Sequence, residues 1–132
     1  NMTTESALNE YLKIAAGINK TLAEYSDKTH TRKHNTSMRK MLDFYEKLHT
    51  EPAVEREVYS ALLKEDEPYY KLVGAIKCLE LGMATTDAVE TLKRLQNCTE
   101  PLISNSACRN LESYMSYMKK ADASTNWSSW RL

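Results

Sequence analysis

Glycine and proline are scarce, with three of each in 132 residues. All-β sandwiches and barrels need turn residues between many short strands, so that architecture is excluded. Cysteine is sparse too. Cys78, Cys98 and Cys108 are odd in number and show no C-x-x-C spacing, which indicates neither a disulfide framework nor a thiolate zinc site. Reduced thiols in a cytoplasmic protein are the expected state. No apolar run approaches the roughly 18 residues of a transmembrane helix. Glu5, Glu10 and Lys13 interrupt any signal-peptide core, so neither membrane nor export is expected. Five N-x-S/T triplets begin at Asn1, Asn19, Asn35, Asn97 and Asn126, and Ser/Thr richness accounts for them more cheaply than glycosylation. Charge of one sign is missing as well. Eighteen basic residues balance eighteen acidic ones, leaving no global field to attract nucleic acid, lipid or a strongly charged substrate.

What is present is helical patterning. Apolar residues make up 42% and charged residues 27%, the balance of an ordinary globular domain rather than a disordered chain. Leu8, Leu12, Ala15, Ile18, Leu22 and Tyr25 recur at helical spacing, predicting a first helix over 4–25 capped by Thr3 or Thr4. His34, Met38, Met41, Tyr45 and Leu48, widened by Leu42, predict a second over 31–49, which Pro52 stops or follows with a new start. Val54, Val58, Ala61 and Leu62 mark a short third helix. Pro68 should open a fourth with Leu72, Val73, Ala75, Ile76 and Leu79, apolar nearly all round and ended by Gly82 in a left-handed conformation. A fifth, capped by Thr85 or Thr86, carries Ala88, Val89, Leu92 and Leu95. Pro101 opens a sixth whose inward residues should be Ile103, Ala107, Leu111, Tyr114, Met115 and Met118. One helical domain is expected over 1–120, followed by a polar tail over 121–132 holding Trp127 and Trp130.

A repeat is visible at an offset of 32 residues. Leu63, Ala75, Ile76 and Leu79 correspond to Leu95, Ala107, Cys108 and Leu111, with Pro68 and Pro101 one residue out of step. Helix pairs recurring at about this period build stacked α-solenoids, each pair burying its apolar face on the next.

The segment from Thr31 to Ala75 contains T-R-K-H-N, then L-D-F-Y-E-K-L, then L-L-K-E-D-E-P-Y-Y-K-L-V-G-A. It resembles a small bacterial family of HEAT-like helical proteins known as a domain of unknown function. In that family a polar R-K-x-N segment opens the second helix, and a D-x-P turn with an aromatic and a basic residue precedes an apolar helix. Asp66, Pro68, Tyr70 and Lys71 stand in those places, with Lys71 where the family pattern has arginine. Ser106 to Met118 resembles the family's last helix, whereas the tryptophan-bearing tail has no counterpart. The resemblance implies an all-α fold, a short HEAT-like α-α superhelix of about six helices in antiparallel pairs. It implies no activity and no catalytic residues.

Several side-chain groups have the composition of a site. Tyr59, Tyr69, Tyr70 and Lys71 surround a helix-pair turn, where aromatic side chains either pack or anchor a protein partner. Trp127 and Trp130 are costly to leave in water, so they fold back over the domain or dock on another subunit as a homo-oligomer contact. Lys28, Arg32, Lys33, Arg39 and Lys40 form a local basic run with the charge of a phosphate footprint, although a solvated helix face explains it more simply. His30 and His34, one turn apart with Asp27 before them, have chelating spacing without H-E-x-x-H, and ordinary titrating histidines are the simpler explanation. Glu51, Glu55, Glu57, Glu65, Asp66 and Glu67 should mostly stay wet at helix ends and in a turn. No Ser-His-Asp set, recognisable Cys-His motif or glycine-rich phosphate loop occurs.

These features together predict a non-enzymatic, cytoplasmic protein-binding module needing no metal or cofactor. Small helical immunity proteins offer a fold-level analogy for a toxin-neutralising role, against which the neutral charge counts. The alternative is a nucleic-acid-binding helical repeat using segment 28–40, distinguished by a steep loss of affinity as salt rises.

Overall fold

The computed structural model describes the backbone of residues 2–23 and 28–131, and the side chains of residues 2–18, 32 and 35–121. The described chain is all-helical, as the periodicity predicts. Its helices are α1 (Thr4–Ala23), α2 (Lys28–His49), α3 (Pro52–Leu63), α4 (Pro68–Leu81), α5 (Thr85–Leu95) and α6 (Pro101–Arg131). Neighbours in sequence pack on one another: α1 with α2, and α5 with both α4 and α6, while α4 also meets α6. Such packing fits a helical bundle or a superhelix.

The chain groups into two compact units, Asn1–Val58 and Tyr59–Leu132, divided inside α3. Helical backbone runs on through Arg131, because no proline or glycine follows Pro101 to stop it.

In the first unit, Thr3 caps α1 as expected. The Ser6 backbone N–H donates to Thr3 Oγ1 at 3.1 Å, and the Thr3 N–H donates to Ser6 Oγ at 3.2 Å. This reciprocal pair satisfies first-turn donors that the helix itself leaves unpaired. The buried stripe of α1 is Ala7, Tyr11, Ala15 and Ile18, one residue round from the predicted Leu8 and Leu12, which are half-buried. Alanines at 7 and 15 leave room for the Tyr11 ring, which lies 6.3 Å from the ring centroids of both Phe44 and Tyr45 on α2. The buried face of α2 is therefore Met41, Phe44 and Leu48, with Met38 and Leu42 exposed.

In the second unit, local chemistry sets the helix ends. Pro68 starts α4, where its missing N–H has no intrahelical partner to lose. Gly82 ends it at φ 66°, ψ 31°, with its N–H donating to the Leu79 carbonyl at 3.1 Å and the Met83 N–H donating to that of Cys78 at 2.9 Å. The start of α5 departs from expectation. Its N-cap is Ala84 at φ 45°, with no side-chain cap, and Thr85 is already helical. The chain must turn back within residues 82–84, which forces a left-handed conformation on a residue with a Cβ.

The core of this unit is built on small residues. Ala75, Ala88 and Ala107 have no exposed surface in α4, α5 and α6, and Leu72, Cys78, Leu92, Leu95 and Leu111 are buried with them. Gly74 lies against the end of α3, where an added Cβ would fall 2.5 Å from the Leu63 nitrogen and 2.9 Å from the Leu62 carbonyl carbon. Three of the four residue pairs at the 32-residue offset share a burial class, whereas Leu79 is half-buried and Leu111 buried. Leu63 and Leu95 are both buried, as are Ala75 and Ala107, and Ile76 and Cys108 are both half-buried.

Two substitutions test this packing by chemical denaturation. Gly74→Ala should lower stability by about 1–3 kcal/mol, because backbone rather than a flexible side chain must move. Ala84→Gly should raise it by about 0.5 kcal/mol, the relief of left-handed strain exceeding the added unfolded-state entropy. Unchanged stability in Gly74→Ala would contradict the close approach.

Candidate functional site

The large apolar side chains left outside the core concentrate on one helix. Met115, Tyr117 and Met118 of α6 are exposed, Tyr117 by 67%, although Met115 and Met118 belong to the face predicted to point inward. Two turns of that face, through Ala107 and Leu111, are buried, and beyond them its side chains reach the surface. Tyr114, Tyr117 and Met118 recur at helical spacing and face the C-terminal end of α4 across an open groove of about 630 Å3. Ile76, Leu79 and Leu81 form the α4 wall, with Glu80 and Gly82 at its end and Asn110 and Ser113 adding polar groups from α6. A volume of this size, lined by apolar and aromatic side chains with a few polar groups, is typical of recognition sites.

Among the described residues, Glu80 is the charged member of that lining. Its Oε2 accepts from Lys77 Nζ at 3.4 Å, and its side chain remains 58% exposed. No basic residue occupies the last turn of α4, so the negative end of the helix dipole adds to the carboxylate there.

The predicted aromatic site separates into different places. Tyr59 is 2% exposed and part of the core, so it offers no surface to a partner. Its place on α3 beside Val58 and Leu62 fits the packing alternative for that aromatic group. Tyr69 and Tyr70 lie half-buried at the start of α4 with Lys71, their ring centroids 5.9 Å apart in an edge-to-face arrangement. They occupy the opposite end of α4 from Glu80, roughly 15 Å away at the helical rise. Burial raises the Tyr69 phenol above its ordinary value of 10.0, with Tyr70 adding to the shift. Burial also raises Tyr70, helped by the carboxylates of Glu67 and Glu65. Trp127 and Trp130 have side chains outside the described residues, as do Lys28, Lys33, His30 and His34; Asp27 lies outside them entirely.

Arg32, Arg39 and Lys40 of the basic run are exposed on α2. Lys40 lines a second groove, between α1 and α2, together with Lys13, Lys47, Glu10 and Asp43. Lys47 Nζ stands 3.8 Å from Glu10 Oε2. Carboxylates interleave with the ammonium groups there, unlike the single-signed face a phosphate backbone selects.

The acidic centre is not uniformly wet. Glu55, predicted to be solvated, is 5% exposed at the start of α3, where the helix N-terminus favours negative charge. His49 Nδ1, at the end of α2, lies 3.3 Å from Glu55 Oε1 and 3.4 Å from Oε2. Six residues separate the two, a spacing brought together only by the turn at Thr50 and Glu51. Glu57 accepts a hydrogen bond from Thr4 Oγ1. Among the described residues, no three of His, Cys, Asp and Glu gather as a metal site. No protein family, curated protein or solved structure matches the chain.

The raised phenols carry a pH signature. The unfolded chain releases these protons at lower pH than the folded one, so stability should be undiminished by them below about pH 10 and fall as pH rises above it. Absorbance titration at alkaline pH should show a late-ionising phenol that disappears in Tyr69→Phe. An unaltered titration apart from the loss of one ordinary tyrosine would contradict the burial of that ring.

Proposed function

We propose that the chain is a protein-binding helical module and that the groove between α4 and α6 is its contact surface. The observation that carries this reading is the exposure of Met115, Tyr117 and Met118 beside a groove walled by Ile76, Leu79 and Leu81. Exposed apolar side chains grouped in this way mark interaction surfaces more often than scattered ones do. The resemblance of residues 31–75 to HEAT-like proteins and the burial shared by three of the four pairs at the 32-residue offset favour a helical-repeat scaffold, a type that works by presenting surface. Binding of this kind calls for no catalytic residue and no cofactor. Cys78, Cys98 and Cys108 are free thiols, which suits the reducing cytoplasm. Among the described residues no helix is long and apolar enough to cross a membrane. A toxin-neutralising role is one case of such binding, and its partner would be the toxin itself.

A photo-crosslinking amino acid in place of Tyr117 should give a discrete protein adduct in the native cell. The same group in place of the exposed Asp87 on α5 should give none. Equal adducts at both positions, or none at either, would overturn the proposal.

A further inference from the structure

We infer that the occupant of the α4/α6 groove is an amphipathic helix carrying a lysine or arginine beside its apolar stripe, an assignment that rests on the binding role proposed above. Three features of the groove converge on that partner. Its walls are rows of side chains at helical spacing, Ile76 and Leu79 on α4 and Tyr114, Tyr117 and Met118 on α6. Ridges of this kind mesh with the side-chain rows of another helix, and an apolar stripe repeating at three and four residues fills the space between them. Among the described residues the polar lining from α6 is neutral, since Asn110 and Ser113 supply an amide and a hydroxyl. The charge is negative and lies at one end, where Glu80 sits on a helix C-terminus without a basic residue in its last turn. Lys77 reaches Glu80 Oε2 at 3.4 Å, and the Glu80 side chain remains 58% exposed. A guanidinium or ammonium group from the partner would complete that carboxylate while its apolar stripe covered Tyr117 and Met118.

The probes are two fluorescein-labelled helical peptides of about five turns. One is built from leucine and lysine, the other from leucine and glutamate in the same pattern, and fluorescence anisotropy measures each against the full chain. The leucine–lysine peptide should bind about tenfold more tightly than its glutamate counterpart. Glu80→Lys should abolish or reverse that preference, whereas Glu90→Lys, on an exposed position of α5, should leave it unchanged. Tyr117→Ser combined with Met118→Ser should weaken the leucine–lysine peptide by about tenfold while the denaturation midpoint stays in place.

Equal binding of the two peptides, or a preference that Glu80→Lys and Glu90→Lys alter alike, would overturn the assignment. So would self-association seen by sedimentation and lost in the Tyr117→Ser, Met118→Ser variant, because the groove would then be filled by a second copy. A photo-adduct at Tyr117 without any lysine preference would leave the binding role standing and remove only this partner class.

Discussion

At Gly74 the backbone of α4 comes so near Leu62 and Leu63 that one added methyl group would overlap it. Ala75, Ala88 and Ala107, without exposed surface in three helices that pack on each other, show the same preference for small residues at contacts. Close approach of helix backbones is thus the constraint on residues 59–132. It gains dispersion contacts over a short span, and a Cβ added at Gly74 must displace main chain rather than a flexible tip. Leu62, Leu72, Leu92 and Leu111 fill the interior of that span, and the bulkier side chains of α6 lie at its margin. Tyr114 is half-buried there, while Met115, Tyr117 and Met118 reach the surface.

The groove follows from that arrangement. Alanine and leucine draw α6 inward at Ala107 and Leu111, and the apolar pattern continues past the point where α4 ends at Gly82. Beyond it Tyr117 and Met118 have the chemistry of core residues and no core to enter. Burial of such side chains is worth roughly 1.5–3 kcal/mol each, a reserve of free energy that association with a partner would release. In the proposed binding role Glu80 would give recognition a direction, because a carboxylate at one end of an apolar cleft distinguishes the two ways of laying a helix along it.

Local backbone chemistry was legible from sequence where one residue decides it. Pro68 and Gly82 bound α4, and Thr3 caps α1, because a missing N–H, a missing Cβ and a short hydroxyl each act within one turn. Rotation about the helix axis was less legible. Leu8 and Leu12 look more apolar than Ala7 and Tyr11, yet the small alanine and the flat ring are what fit against Phe44 and Tyr45. Ala84 defeats the rule that threonine caps a helix, since the tight return from α4 sets its conformation. Glu55 and His49 meet across a turn whose geometry neither residue type specifies. Of the aromatic residues singled out in the sequence, Tyr59 is interior and Tyr69 and Tyr70 sit at the start of α4, whereas Tyr117 and Met118 line the groove at its other end. Helical period alone cannot tell an apolar residue that reaches the core from one placed a turn beyond it.

Native-state amide hydrogen exchange reads the central constraint most directly. If small-residue contact ties α4, α5 and α6 together, the amides around Ala75, Leu92 and Leu111 should open in one shared event and exchange more slowly than those at the helix ends. Separate opening of α6, with the amides between Ala107 and Leu111 exchanging as fast as those near Met118, would show that the helices are not held by that contact.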